Sequence, residues 1–200
     1  MCGHFIMVTR DALDDIVREV EMNRAYNPMP DWPAVRQSAY PGTEAPLIVF
    51  DEGALKPSLM KWGFEVAWSK GVIFNTRSET ALKPGGMWAE SVNRRRCIVP
   101  TLGFFEPHRS EVFASPRTGK QIKQPYLFTM PGSPLFFLAG VFEAGRFSLM
   151  TTEPNATVAP VHDRMPLALA QNEATTWLSG DFTSLFDRRA TPLVAQKAAQ

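Results

Sequence analysis

The sequence predicts one α+β domain, rich in strands, in which curved antiparallel or mixed sheets form an open barrel-like core with a few peripheral helices. Three observations carry this. Short runs of aromatic and β-branched residues recur through the middle of the chain, 17 prolines and 13 glycines punctuate them, and helix-period patterning is confined to two short stretches. Apolar residues at 44% and charged residues at 20% of 200 positions are those of an ordinary globular chain, long enough for one sizeable core.

The elements follow in chain order. Leu13, Ile16, Val17 and Val20 repeat at i, i+3, i+4 and i+7, which predicts an amphipathic helix over residues 11 to 21 with Thr9 or Asp11 as its cap. The prolines of NPMPDWP stop any helix there, and the chain reads as loop to about residue 45, a length more often functional than idle. Strands are expected at LIVF (47 to 50), GVIF (71 to 74), CIVP (97 to 100), GFFE (103 to 106), YLFTM (126 to 130), LFFLAGVFE (135 to 143) and FSLMTT (147 to 152). NEATTWLSGD reads as a short helix, capped by Asn172 and ended by Gly180. The domain is expected to span residues 1 to 185, leaving 186 to 200 as a peripheral, fraying tail with little to pack.

Charge and composition bound the function. A formal net charge of +1 lacks the broad basic field of a general polyanion binder, so any nucleic-acid contact must be a local patch. No apolar run reaches 18 residues and the start has neither a basic nor an apolar leader segment, so a cytosolic location is expected, nucleoid-associated if bacterial, with no membrane contact. A monomer is expected. Cys2 and Cys97, the two cysteines, are expected as free thiols in a reducing compartment.

The opening MCGHF has unusual chemistry. Removal of Met1 would leave Cys2 with an α-amine and a thiol on adjacent carbons. An α-amine, with a pKa of about 8, is partly neutral and nucleophilic near pH 7, whereas a lysine at about 10.4 would need strong desolvation to match it. A carboxyl ending the aromatic strand GFFE suits general acid or base work, because apolar surroundings raise its pKa, and a histidine in HDRMP can hold or release a proton near neutrality.

MCG, WGF with FNTRSET (62 to 80), RRRCIVP (94 to 100), GFFE and HDRMP (162 to 166), together and in this order, resemble the SRAP family, the SOS-response-associated proteins that capture abasic sites in single-stranded DNA. The resemblance spans residues 1 to 180. It implies that the Cys2 amine condenses with the ring-opened abasic aldehyde and that its thiol closes a thiazolidine. It implies further that Glu106 assists ring opening and reversal, that His162 bonds the opened sugar hydroxyl and moves a proton, and that Asn75 holds the Cys2 amine or the sugar. Arg77 and Arg164 are placed on flanking phosphates, whose geometry a guanidinium fork fits, and Trp68 on a base. No metal or other cofactor is implied.

Departures fall on the DNA-facing positions. His4 stands where the family has arginine, and Pro107 and His108 replace the aromatic and lysine that follow its glutamate. Both YNPMP (26 to 30) and SAYPGTEAP (38 to 46) resemble pieces of a family loop; the second would put Pro41 near DNA. The run Arg94 to Arg96 reads either as a solvated face or as a DNA contact. A rival reading is an N-terminal-nucleophile amidase or peptidase, with the thiol attacking an acyl group. A zinc module from Cys2, His4, Cys97 and His162 fits no common ligand spacing, and a non-catalytic single-strand binder fits poorly with so little charge.

Overall fold

The computed structural model describes residues 2–9, 12–22 and 37–198. In chain order it runs β1 (Phe5–Met7), α1 (Leu13–Glu21), β2 (Gln37–Ala39), β3 (Glu44–Asp51), β4 (Ala54–Trp62), β5 (Asn75–Arg77), α2 (Ser78–Ala81), α3 (Ala89–Arg94) and β6 (Arg96–Ala114). It continues with β7 (Gln121–Thr129), β8 (Phe136–Glu143), β9 (Arg146–Thr152), β10 (Met165–Pro166), β11 (Ala168–Leu169), α4 (Ala174–Ser179) and β12 (Val194–Lys197). All the strands belong to one mixed sheet. Its pairings close a cycle: β8 with β9, β9 parallel to β4, then β4 with β3, β3 with β6, and β6 back to β8.

Strand alternation divides the apolar residues between two cores. Cys97, Val99, Phe136, Leu138, Phe147 and Leu149 point to one, which also holds Cys2, Phe5, Trp62, Phe104 and Phe128. Their neighbours Ile98, Phe137, Ala139 and Met150 point to the other, covered by Leu13, Ile16, Val17 and Val20 of α1 and by Trp177 of α4. Burial on both faces explains why these strands read as continuous apolar runs rather than alternating ones. In α1, Asp14 and Asp15 in the first turn suit the positive end of the helix dipole.

Several expectations are corrected. CIVP and GFFE lie in one strand, β6, which changes partner along its length from β8 to β7. GVIF is no strand: only Ile73 bridges Phe64, and β5 starts at Asn75. The expected loop before residue 45 contains β2, and β4 was not foreseen because Pro57 interrupts a half-exposed, lysine-bearing run. Asn172 is not a cap; the Glu173 carboxylate accepts the Ala170 N–H at 2.8 Å instead, and Gly180 does end the helix. Asp11 and the segment YNPMP lie outside the described residues.

Within the C-terminal segment the described residues include a paired strand. Val194–Lys197 pairs along β7 from Thr129 to Tyr126, since that edge offers unpaired backbone groups whatever the polarity of the added side chains. Nor are the arginines of the RRR run all solvated: the Arg96 guanidinium donates to the carbonyls of Trp177 (2.6 Å) and Leu178 (3.0 Å) and lies 4.1 Å from the Phe182 ring centre. Arg95 pairs with Glu90 and Glu143.

Gly103 lets β6 pass close to β7. A Cβ there would lie 2.8 Å from Leu127 Cδ1 and 3.0 Å from the Phe128 carbonyl oxygen. Gly103→Ala is therefore expected to lower stability by about 1–3 kcal/mol, measured by urea denaturation, as overpacking does elsewhere.

Candidate functional site

β1 brings the N-terminus into the sheet. Phe5 opposes both Ala39 of β2 and Phe104 of β6, and the Phe105 N–H donates to the His4 carbonyl at 2.8 Å. A register shift follows Ile6, where Thr101 Oγ1 donates to the Ile6 carbonyl at 2.8 Å. Cys2 thus ends fully buried within the first core, its Sγ 3.7 Å from the His4 carbonyl oxygen. Burial, reinforced by the neighbouring Glu106 charge, pushes the thiol well above the ordinary thiol range.

Asn75 reaches Cys2 from β5, which runs parallel to β9. Trp62 is buried and donates its indole N–H to the Phe74 carbonyl at 2.9 Å, while Thr76 Oγ1 donates to Ser148 Oγ at 2.9 Å, so both neighbours of Asn75 are fixed. From there Asn75 Nδ2 donates to the Cys2 carbonyl at 2.9 Å. Its Oδ1 is buried and has no hydrogen-bond partner among the described residues.

Glu106 shares the inward face of β6 with Phe104 and is fully buried. Burial pushes its carboxyl up from an ordinary 4.5 to about 7. His162 Nε2 stands 4.0 Å from Glu106 Oε2. The Arg164 N–H donates to His162 Nδ1 at 3.1 Å, so in the neutral ring the proton is assigned to Nε2, the nitrogen facing Glu106. Burial lowers the imidazole pKa; Asp163, 3.0 Å from Nδ1, opposes that by favouring the charged ring.

The loop carrying His162 is built by residues that the motif pattern did not mark. Asn155 Oδ1 accepts the N–H groups of Thr157 and Val158 at 3.1 and 2.9 Å, and its Nδ2 donates to the Thr191 carbonyl at 2.8 Å. Arg109, where β6 leaves register with β7, donates its N–H to the Val161 carbonyl at 3.0 Å and its guanidinium to that of Ala159 at 2.9 Å. An asparagine two positions before backbone N–H groups is a turn signal, legible in EPNATV only for local geometry.

The structure brings Cys2, Asn75, Glu106 and His162 together. The expected DNA-facing residues are more dispersed. Arg77 is exposed at the end of β5, and Trp68 is 75% exposed. Pro41 occupies a turn after β2, with Gly42 beside it at φ +93. Arg164 is engaged: its guanidinium meets both carboxylate oxygens of Glu79 at 2.6 and 2.9 Å and donates to the Thr151 carbonyl at 2.8 Å. The His4 ring stacks between aromatic rings, with Nε2 2.7 Å from Ser38 Oγ. Among the described residues no three His, Cys, Asp or Glu side chains converge as a metal site requires, and no helix is long and apolar enough to cross a membrane.

Fold and site together define a strand-rich α+β protein whose second residue, a cysteine, is buried beside a buried glutamate that a histidine approaches to 4.0 Å. Comparison with known proteins places that architecture. The chain belongs to the SOS response associated peptidase (SRAP) family, whose pattern matches residues 1–199. It is 26% identical over 198 residues to the abasic site processing protein YoaM of Bacillus subtilis, covering 92% of this chain and 82% of the relative. To the abasic site processing protein YedK of Escherichia coli it is 28% identical over 189 residues, 89% of this chain and 79% of that one. Among solved structures, a phage-related protein of Bordetella bronchiseptica superposes with a TM-score of 0.69 at 20% identity, covering 100% of this chain and 95% of that one. A protein of Bacteroides thetaiotaomicron does so at 0.67 and 21%, covering 98% and 91%.

Proposed function

We propose that this protein recognises an abasic site in single-stranded DNA and captures it covalently through Cys2 once Met1 is removed. The observation that carries the reading is the convergence of an N-terminal cysteine, held at its carbonyl by Asn75, with a buried carboxyl whose pKa lies at about 7 and a histidine 4.0 Å from it. Relatives named as abasic site processing proteins support the substrate.

The chemistry balances as follows. Opening of the abasic sugar turns its anomeric hydroxyl into an aldehyde and its ring oxygen into a hydroxyl, a proton shift that His162 Nε2–H and Glu106 can relay. The neutral Cys2 amine adds to the aldehyde carbon, Glu106 in its protonated form gives a proton to the departing hydroxyl so that one water leaves, and the carboxylate takes the proton of the resulting iminium nitrogen, leaving an imine. The thiol then adds to the imine carbon while its proton passes to nitrogen, closing the thiazolidine. Reversal runs through the same groups.

The state of the thiol favours this reading over acyl transfer. An N-terminal-nucleophile amidase would have to ionise the Cys2 thiol in its first step, with the α-amine as base, and burial opposes that ionisation. Capture begins at the amine and needs the thiol only after the imine exists. The test is a short single-stranded oligonucleotide with one abasic site, mixed with protein lacking Met1 and run on a denaturing gel. A heat-stable shifted band dependent on the abasic site is expected; turnover of an amide substrate with no such band would favour the amidase.

Arg164 yields a further expectation. With Glu79 removed as competitor, Glu79→Gln should free the guanidinium fork, still anchored at Thr151, for a phosphate. The variant is expected to bind the oligonucleotide more tightly and to steepen the log–log salt dependence by about 0.7, one phosphate contact, in fluorescence-anisotropy titrations.

A further inference from the structure

Three rings stack beside the Cys2 cluster. Because Phe5 opposes both Ala39 and Phe104 in antiparallel register, position 4 falls between positions 40 and 105. The His4 imidazole accordingly lies 4.1 Å from the Phe105 ring centre, 12° from parallel, and 4.4 Å from that of Tyr40, 22° from parallel. At such distances the two cannot share one face of the imidazole, so His4 is the middle ring. Ser38 Oγ, 2.7 Å from Nε2, fixes its rotation.

Tyr40 ends the stack and is 48% exposed. It is nevertheless rigidly mounted. The Thr43 N–H donates to the Tyr40 carbonyl at 3.0 Å and Tyr40 N–H to Thr43 Oγ1 at 3.2 Å, closing a tight turn. Pro41 and Gly42 fill its centre, and the positive φ of +93 at Gly42 is what a type II turn needs at its third position. The Gly42 N–H donates to the Trp62 carbonyl at 2.7 Å, tying the turn to β4. An exposed ring held this way loses little further freedom on binding.

The stack is also continuous with the reaction centre. The His4 carbonyl accepts from Phe105 N–H and lies 3.7 Å from Cys2 Sγ, and Glu106 follows Phe105. We propose that the outer face of Tyr40 seats the nucleobase adjacent to the abasic nucleotide; this rests on the reading that Cys2 captures abasic sites in single-stranded DNA. The chemistry selects that occupant. A base next to a gap in the stack has lost a neighbour on one side, and an aromatic face in register with two others replaces it. Stacking demands no particular base, as suits a lesion that occurs in any sequence.

The test compares wild type with Tyr40→Ala, Tyr40→Leu and Tyr40→Phe on two oligonucleotides. One has ordinary bases flanking the abasic site; the other has tetrahydrofuran spacers, which lack a base, in both flanking positions. The DNA concentration for half-maximal crosslinking is read from denaturing gels. On the first substrate Tyr40→Ala and Tyr40→Leu are expected to raise it about ten-fold, or about 1.4 kcal/mol, while Tyr40→Phe stays near wild type. On the second, wild type is itself weakened and Tyr40→Ala costs nothing more. Equal values for Tyr40→Ala and wild type on the first substrate, or the same loss on both, would overturn the seat. Absence of any crosslink by wild type on either substrate would remove the underlying reading instead, and does not depend on Tyr40.

Discussion

Cys2→Ala is expected to abolish the heat-stable complex with abasic DNA, because it removes the thiol that closes the ring while leaving an amine that can form only a hydrolysable imine. Cys2→Ser separates the two contributions. Its hydroxyl is a far poorer nucleophile toward the imine, so at most a labile adduct, trapped by borohydride but lost on heating, is expected. Denaturing gels with and without borohydride read both results. The fold should tolerate either change: neither Ala nor Ser is larger than the buried Cys2, and the hydrogen bond from Asn75 goes to its backbone carbonyl, which every variant keeps. An unchanged yield and rate in Cys2→Ala would move the chemistry to another amine.

Glu106→Gln should have the second largest effect, and in opposite directions for activity and stability. Gln keeps size and polarity but cannot donate the carboxyl proton, so crosslink formation and reversal are each expected to slow by about 100-fold or more in single-turnover time courses. In wild type the loss of dehydrating power as pH rises through about 7 should show in the same rate, and the variant should lack that inflection. Stability runs the other way. Burial raises this carboxyl from 4.5 to about 7, so between those values the folded protein holds a proton that the unfolded chain releases. The associated stability is fully present below about 4.5, falls as pH rises, and is gone above about 7, a change of ~3 kcal/mol. Glu106→Gln has no such dependence and should melt several degrees above wild type at pH 8, the difference vanishing toward pH 4.5. Scanning calorimetry at the two pH values checks it.

Much of the fold could be read from local pattern, and the failures have specific causes. The apolar runs at 47 to 50 and 135 to 143 announced strands because residues 47 to 49 and 135 to 141 are buried on both faces. β4 and β12 lacked that mark: Pro57 interrupts one, and the other is a short, half-exposed strand, VAQK, whose conformation is decided by its partner β7 rather than by its own side chains. CIVP and GFFE look like two strands because Pro100 marks an end in local pattern, whereas β6 continues through it, paired with Phe137.

The candidate site shows the same division. Cys2, Asn75, Glu106 and His162 are spread over 160 positions, and no spacing rule places them together; only the resemblance carried by their motifs did. Pairings made by the fold lay beyond any motif. Arg164 meets Glu79 across 85 positions, and His4 fits between Tyr40 and Phe105 only because β1 lies between β2 and β6. The histidine at position 4 therefore completes a stack of three rings.

The central claim, that both nucleophiles of Cys2 are consumed by one abasic aldehyde, is tested most directly by counting thiols in the isolated adduct. The chain has two cysteines, both free thiols. Denatured free protein treated with iodoacetamide should gain two carbamidomethyl groups by intact-mass spectrometry. The adduct, with the mass of protein plus oligonucleotide less one water, should gain one, at Cys97. An adduct of that mass that still takes up two groups would show capture without ring closure and contradict the thiazolidine.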